Sequence, residues 1–249
     1  MTPPPGNPDA DDPAATPDPV SAPDLPDPVS APDPPDPVSA PDPPDPVSAP
    51  DLPDPVSAPA TPDPAPAPAP PLPRLPAPWS ARVARPDGAD LDLVHRWMAA
   101  PHVAAFWHQA WPRPRWHEEI AGHLAGDAVL PLLVALDGRP FAYAEVYRVA
   151  RDRLAGHYPH LPHDLGVHLA IGDPDRTGRG RGRALLRALA EALLAADPAC
   201  TRVVAEPDVT NAPSLRAFEA AGFRPAGKVV LPDKTAALLV HPRTDGDLP

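Results

Sequence analysis

The sequence predicts a single α/β domain with a mixed central sheet, preceded by a long tail rich in proline and aspartate. Residues 1–78 hold 31 of the 47 prolines and 13 of the 33 acidic residues, with Arg74 as their one basic residue. From Trp79 onward, strand-like and helix-like hydrophobic patterns alternate, which is typical of an α/β domain. We therefore expect a disordered tail at residues 1–78, a folded domain at 79–243 and a short C-terminal tail at 244–249.

The tail repeats a nine-residue unit of the type DPVSAPDLP. Proline fixes φ and removes backbone donors, so neither helix nor sheet can propagate through these units. Repulsion between the aspartates favours an extended, polyproline-like spacer. The tail then acts as a tether or as a ligand for a proline-binding partner protein, or else it arose by replication slippage in a tolerated segment.

Charge and cysteine content exclude several classes of protein. The net charge of −12 lies in the tail, because the 20 acidic and 20 basic residues after residue 80 balance one another. A nucleic-acid-binding domain would show a basic excess. The single cysteine, Cys200, excludes an internal disulfide and fits a reducing compartment. The sequence shows neither a signal-peptide pattern nor a long apolar stretch, so we expect a cytoplasmic protein that does not enter a membrane.

The elements of the domain follow from hydrophobic periodicity. In chain order we expect a strand at 79–86, a helix within 87–103, a helix at 113–126, a hairpin at 128–151, a strand at 165–173, a helix at 182–196, a strand at 201–208, a helix at 214–223 and two strands at 228–231 and 236–240. The first helix carries an apolar stripe that includes Leu91, Val94 and Trp97, and Trp116, Ile120 and Leu124 recur every four residues in the second.

The later elements depend on turn chemistry as well as on periodicity. Asp137-Gly138 between two apolar runs is a favoured type I′ turn pair, so these runs form the hairpin. The run at 165–173 is apolar enough for a buried strand, and the helix at 182–196 places five leucines on one face. Gly222 closes the helix at 214–223 from its C′ position.

A glycine- and arginine-rich loop joins the strand at 165–173 to the helix that follows it. Such a loop can turn backbone N–H groups toward a diphosphate at a helix N-terminus. It lacks the lysine of an ATP-binding P-loop, and its glycines at 178, 180 and 182 do not have the spacing of a dinucleotide-binding fingerprint. A solvated basic turn before an ordinary helix is the alternative interpretation.

Downstream, residues 211–223 read Asn-x-x-Ser-x-x-x-Phe-Glu-x-x-Gly-Phe. With the glycine loop about thirty residues earlier, this pattern resembles the GCN5-related N-acetyltransferase (GNAT) superfamily over residues 80–243. The resemblance implies that acyl-coenzyme A is the co-substrate and that its pyrophosphate lies on the loop. It also implies that the pantetheine lies between strands 4 and 5, which splay apart. Thr177 stands where the family usually has Gln or Arg.

Six segments in order resemble the siderophore-biosynthesis acyltransferases of that superfamily. They are HRWMAAPHVAAFWHQAW, PFAYAEVYRVARDRL, DLGVHLAIGD, GRGRGRALLRAL, VVAEPDVTN and VLPDKTA. The resemblance implies transfer from acetyl-CoA or succinyl-CoA to the side-chain amine or hydroxylamine of a lysine- or cadaverine-type acceptor. An aminoglycoside 6′-type N-acetyltransferase is the rival enzyme, and a catalytically silent acyl-CoA-binding or scaffold protein is the alternative of another class.

The resemblance also implies the site residues. It gives catalytic roles to His168, as proton acceptor or substrate orienter, and to Asp208, as its partner or as the base itself. Phe218 stands where many relatives use a tyrosine to protonate the departing thiolate, so the thiolate must take its proton from water or from His168. The implied coenzyme A contacts are Ile171, Thr177, Gly178, Arg179, Gly180, Gly182, Arg183, Asn211, Ser214 and Phe218.

The acceptor pocket is expected around Trp107, Glu145, Tyr147 and His168, where Glu145 would hold a cationic amine. Its alternative is a structurally paired glutamate, and helix capping is the alternative for Asn211 and Ser214. The histidines at 157, 160 and 163 lie close in sequence. They lack the spacing of a zinc site and share their loop with two prolines, so we expect no metal.

Overall fold

The structure is a computed structural model that describes residues 67–248. The prediction of a disordered tail at 1–78 therefore falls largely outside the described residues, and the whole nine-residue repeat does so. In the described part, no helix combines the length and apolar character needed to cross a bilayer. Leu75, four residues before the first strand, packs against the main hydrophobic core, so part of the segment before residue 79 contacts the domain.

Within residues 67–248, seven strands form one mixed sheet, as the sequence predicts. They are β1 (Trp79–Val83), β2 (Val129–Leu136), β3 (Arg139–Arg148), β4 (Leu165–Ile171), β5 (Arg202–Ala205), β6 (Arg224–Val230) and β7 (Thr235–Pro242). Their order across the sheet is β1-β2-β3-β4-β5-β7-β6. Only β4 and β5 pair in parallel, and the other neighbours are antiparallel.

The parallel pair separates after two residues. Leu165 pairs with Val203 and Gly166 with Val204, whereas β4 continues to Ile171 without further pairing to β5. The expected splay between strands 4 and 5 is thus confirmed, and it leaves an open wedge in the middle of the sheet. Unpaired backbone donors and acceptors in such a wedge are available to a ligand.

In the described part of the chain, five α-helices accompany the sheet. They are α1 (Gly88–Met98), α2 (Pro101–Trp107), α3 (Arg113–Ala125), α4 (Arg181–Ala196) and α5 (Ala212–Ala220). The helix expected within 87–103 is broken in two, because Pro101 begins a new helix at the position where proline is favoured. In α3, Trp116 and Ile120 are buried but Leu124 is 41% exposed. Spacing by four advances about 40° per step around a helix of 3.6 residues per turn, so Leu124 has rotated away from the core.

The hairpin and α4 follow the sequence prediction closely. Asp137 and Gly138 both have positive φ values, 50° and 72°, as a type I′ turn requires. The apolar face of α4 packs against one face of the sheet in the main core, while α1 and α3 contribute to a second core around Trp116 and Tyr143. These two layers pack against β3, β4 and β5 and so support the wedge between β4 and β5.

Candidate active site

A cavity of about 320 Å³ opens at the wedge between β4 and β5. It brings together eight of the residues that the sequence analysis selected. They are Trp107, Glu145, Tyr147, His168, Asp208, Asn211, Ser214 and Phe218. Residues from the two ends of the chain segment 107–218 therefore meet at one opening, and this opening is the candidate active site.

His168 lies between two buried carboxylates. It stands directly opposite Glu145 in the pairing of β3 with β4, and its Nδ1 is 3.2 Å from Glu145 Oε2. On the other side, its Nε2 is 2.7 Å from Glu206 Oε1. Burial alone would lower the pKa of His168, but the two carboxylates outweigh it and raise the pKa to about 10. At neutral pH His168 is therefore an imidazolium that donates from both ring nitrogens.

Glu206 is the residue that sequence reasoning missed. Its Oε2 accepts a hydrogen bond of 2.6 Å from the Tyr147 hydroxyl, and Lys234 Nζ lies 3.5 Å from its Oε1. Burial would raise the pKa of Glu206, but His168 and Lys234 hold it well below its usual value. A signal was present, since Glu206 is an acid directly after a short apolar strand that runs parallel to the strand carrying His168.

Asp208 also lines the cavity, but it is not the hydrogen-bond partner of His168. Its Oδ1 accepts from the backbone N–H and the hydroxyl of Thr210, at 2.7 and 2.6 Å, and these bonds lower its pKa. The partnership expected between Asp208 and His168 is therefore corrected: Glu206 takes that position. The side chain of Asp208 is an ionised carboxylate near the cavity mouth.

Glu145 is the centre of a second set of contacts. The Tyr143 hydroxyl donates to its Oε1 at 3.0 Å, and His123 Nε2 lies 3.5 Å from the same oxygen and 3.6 Å from Glu119. Burial would raise the pKa of Glu145, but His123 and His168 lower it to about 2. Glu145 is thus paired with other side chains of the protein, and it also lines the cavity. The two interpretations of this residue are therefore compatible.

Tyr147 reaches Glu206 across a glycine. Tyr147 pairs with Gly166 across β3 and β4, and a Cβ atom at Gly166 would lie 2.0 Å from the tyrosine ring. The ring also stacks near His168, with centroids 4.8 Å apart, and Trp107 meets the same imidazole edge-on at 5.8 Å. Gly166 is therefore required for the tyrosine to lie beside His168.

The charge state of His168 can be measured. A folded-state pKa above the unfolded value of about 6.5 contributes stability that is complete below pH 6.5 and is lost as the pH rises toward 10. We expect His168→Gln to lower the free energy of unfolding most at pH 6, with a smaller loss at pH 9.5, in urea titrations. Titration of the imidazole by NMR should show no deprotonation below pH 8, and a midpoint near 6.5 would contradict the arrangement.

Two glycines of the loop between β4 and α4 have left-handed backbone conformations. Gly178 and Gly180 both have φ of 71°, and Gly180 is the residue from which α4 starts. A Cβ atom at Gly182 would lie 3.2 Å from Ile171 Cδ1, so Gly182 allows the helix to approach the end of β4. Thr177 donates its hydroxyl to Pro174 O at 2.7 Å.

The start of α5 combines capping with a place in the cavity wall. Asn211 caps this helix by accepting a 3.2 Å hydrogen bond from the backbone N–H of Ser214. Phe218 is buried and packs edge-on against Phe223 at 4.9 Å between ring centroids. Because all three of the predicted residues on α5 line the same cavity as His168, the capping role does not exclude a ligand contact.

The loop histidines have other partners. His160 Nδ1 lies 3.0 Å from Ala155 O, and His163 Nδ1 lies 3.0 Å from Asp197 Oδ2. Among residues 67–248, no three or more His, Cys, Asp or Glu side chains cluster in a way that could hold a metal ion.

Comparison with known families supports the geometry. Residues 87–231 match the model of the acetyltransferase (GNAT) domain. The chain is 39% identical over 176 residues to lysine N-acyltransferase MbtK of Mycolicibacterium paratuberculosis, covering 70% of this chain and 79% of that protein. It is 31% identical over 171 residues to N(6)-hydroxylysine O-acetyltransferase of Escherichia coli, covering 69% of this chain and 54% of that one.

Solved structures show the same fold. The aminoglycoside acetyltransferase AAC(6')-Ib in complex with coenzyme A superposes with a TM-score of 0.60 at 27% identity. The match covers 66% of this chain and 95% of that one. That protein carries coenzyme A on a fold like the one described above.

Proposed function

Because this chain belongs to the GNAT acetyltransferase family, we propose that it transfers an acyl group to the side-chain amine or hydroxylamine of a lysine- or cadaverine-type acceptor in siderophore assembly. The chain is an acyltransferase with acyl-CoA as co-substrate. The observation that carries the proposal is the cavity at the wedge between β4 and β5, which is lined by His168 and Asp208 together with Asn211, Ser214 and Phe218. Acetyl-CoA and succinyl-CoA are the donors we propose.

Acyl-CoA binding is assigned to the loop and the wedge. Gly178 and Gly180 have positive φ at the start of α4, a backbone conformation in which N–H groups can face an anion, and the helix field there also favours one. Arg179 and Arg183 are exposed beside them and supply charge for the phosphates. The pantetheine then extends along the unpaired part of β4 toward the cavity, past Asn211, Ser214 and Phe218.

The charge states of His168 and Asp208 indicate which of the two residues accepts a proton and which donates one. An imidazolium cannot accept a proton, so His168 cannot be the base in the resting enzyme. Asp208, ionised and accessible from the cavity, takes the proton of the attacking nitrogen as the new C–N bond forms. The C–S bond breaks with its electron pair on sulfur, and His168 donates a proton to this thiolate by releasing one of its two hydrogen bonds to Glu145 and Glu206. Phe218 has no proton to give.

Glu145 and Glu206 hold the ring of His168 in place through its two nitrogens, so the donor is oriented before the substrate arrives. After product release, Asp208 loses its proton to water and His168 regains one. No covalent enzyme intermediate is needed because a thioester is already activated.

The acceptor side of the cavity is acidic. Glu119, Asp152, Asp208 and Asp233 line it together with the two glutamates that hold His168, and these six acids outnumber the cationic residues Arg153, Lys234 and His168 of the same lining. This lining attracts a cationic diamine or amino-acid side chain, and it disfavours anionic acceptors. Trp107 and Tyr147 provide aromatic walls beside the imidazole for an aliphatic chain.

The acceptor can be identified by its proton chemistry. A lysine ε-amine with a pKa near 10.4 costs about 4.6 kcal/mol to present neutral at pH 7, whereas a hydroxylamine is already largely neutral. With acetyl-CoA or succinyl-CoA, we expect N6-hydroxylysine or N-hydroxycadaverine to give a higher kcat/KM than lysine or cadaverine. Initial rates of coenzyme A release with each acceptor measure this directly.

A second candidate rests on the solved structures and on the acidic lining. AAC(6')-Ib has been solved with coenzyme A and kanamycin, and a polycationic aminoglycoside also suits an acid-lined cavity. If kanamycin gives a higher kcat/KM than every lysine- or cadaverine-type acceptor, the siderophore assignment is wrong. If no acceptor supports turnover while coenzyme A binds, the chain is a silent acyl-CoA-binding protein.

A further inference from the structure

The segment of residues 67–76, called the strap here, lies before β1 and outside the residues matched by the family model. It contains neither helix nor strand, yet Ala67, Pro70 and Pro73 are buried while Pro68, Ala69 and Leu72 between them are exposed. Burial at every third residue is the period of a polyproline II helix that lays one edge on a surface. The strap is therefore packed against the domain along one edge.

Two arginines of the domain bind the backbone of the strap. Arg148 Nε donates to Pro68 O at 2.7 Å, and Arg151 Nη2 donates to Ala67 O at 2.6 Å. A polyproline-like segment makes no internal hydrogen bonds, so its carbonyl groups are free to accept these donors. Recognition through carbonyl groups and every third side chain gives the strap one defined register.

Arg148 connects the strap to the end of the wedge at which β4 and β5 are still paired. It is buried at the end of β3, directly after Tyr147, and forms a salt bridge of 2.7 Å with Asp197, which ends α4. Its Nη1 also donates to His163 O, just before β4. The strap thus binds the same arginine that connects the end of β3 to the end of α4 and to the loop before β4.

Arg151 joins the strap to the acceptor side of the cavity. Its guanidinium also pairs with Asp127 at 3.0 Å, before β2. The next two residues, Asp152 and Arg153, line the cavity, and Arg153 pairs there with Asp233. The strap therefore binds Arg151, and the two residues that follow Arg151 form part of the cavity wall on the acceptor side.

We propose that the strap is a positioning element of the acyltransferase, which fixes segment 148–153 and thereby sets the affinity for the acceptor. The coenzyme A loop lies at the opposite end of β4, so acyl-CoA binding is independent of the strap. The kinetic part of this proposal rests on the proposed function, whereas the docking of the strap does not.

The period of three gives a matched pair of full-length variants. Pro70→Glu/Pro73→Glu places charges on the buried edge, and Ala69→Glu/Leu72→Glu places the same charges on the exposed side. We expect the first variant to raise the KM for the acceptor about tenfold or more, with kcat and the KM for acyl-CoA within about twofold of the parent. The second should match the parent.

A surface variant tests the same link without disturbing the core. Arg151→Gln removes the bond to Ala67 O, and Arg151→Lys keeps the charge and one donor. We expect a higher KM for the acceptor in the first and partial recovery in the second, with Arg113→Gln as a control for loss of a surface arginine. If these variants and the Pro70/Pro73 pair change only the melting temperature and leave KM unchanged, the strap has no positioning role.

Trypsin cleavage after Arg74 reports docking without any activity. The exposed Arg74 lies within the strap, and a docked backbone must open locally before a protease can cut it. We expect faster cleavage at this bond in Arg151→Gln and in Pro70→Glu/Pro73→Glu than in the parent or the Ala69/Leu72 control. Equal cleavage rates overturn the docking itself, whereas protection without turnover on any acceptor counts against the proposed function alone.

Discussion

Replacing Asp208 with asparagine is expected to lower kcat by about 10²- to 10⁴-fold while the affinity for acyl-CoA stays unchanged. Asparagine keeps the oxygen that accepts from Thr210, so the local turn is preserved, but it cannot take a proton from the attacking nitrogen. His168→Gln should cause a loss of similar size, because glutamine can still reach one carboxylate but supplies neither the charge nor the proton.

Stopped-flow measurement of coenzyme A release and calorimetric titration with acetyl-CoA separate the two effects. Asp245→Asn is a suitable control, since Asp245 is an exposed carboxylate that pairs with Arg224 on the surface. If Asp208→Asn lowers kcat by less than about threefold, Asp208 is not the base, and water accepts the proton of the attacking nitrogen instead. Failure to bind acetyl-CoA would instead indicate a structural effect.

Glu206 adds a dependence on pH to this assignment. In Glu206→Gln one of the two carboxylates that raise the pKa of His168 is gone, so that pKa should fall below its value of about 10 in the parent. If protonated His168 is the donor, the alkaline limb of the kcat profile should shift to lower pH in this variant. An unshifted limb would assign it to another group.

Local patterns were sufficient to predict most of the fold. The Asp137-Gly138 turn, the leucine face of α4 and the glycine at the C′ position of α5, Gly222, each depend on residues close in sequence, and all three appear in the structure. The division of the first helix was missed because residues 87–103 were treated as one helical stretch that includes Pro101, although proline is favoured at the first position of a new helix.

The partners of His168 could be predicted only in part. Glu145 was selected from its strand, and the antiparallel register places it opposite His168. Glu206 was passed over in favour of Asp208, because the sequence does not show where β5 stops pairing with β4, and two residues decide which acid faces the imidazole. The contacts of Arg148 and Arg151 with the strap span about eighty positions and leave no periodic signal.

The glycine loop carries the second large expected effect. Gly180 has φ of 71°, a conformation that a β-branched residue rarely adopts, and a Cβ atom there would lie 3.3 Å from Arg183 Nε. We expect Gly180→Val to weaken coenzyme A binding by about 10²-fold or more, because two or more hydrogen bonds to a charged diphosphate, each contributing about 1.5–3 kcal/mol, would be lost.

Gly88→Val is the control that distinguishes the effect of backbone strain on stability from the loss of the diphosphate site. Gly88 also has positive φ, 56°, with no atom within 4 Å of a Cβ, and it lies at the start of α1. Both variants should lose stability, but only Gly180→Val should lose coenzyme A affinity in calorimetric titrations. With the parent protein, dephospho-coenzyme A should bind more tightly than pantetheine, since it retains the diphosphate. Equal affinities for pantetheine and coenzyme A would mean that the loop does not hold the diphosphate, because the two ligands differ in the group that the loop is proposed to bind.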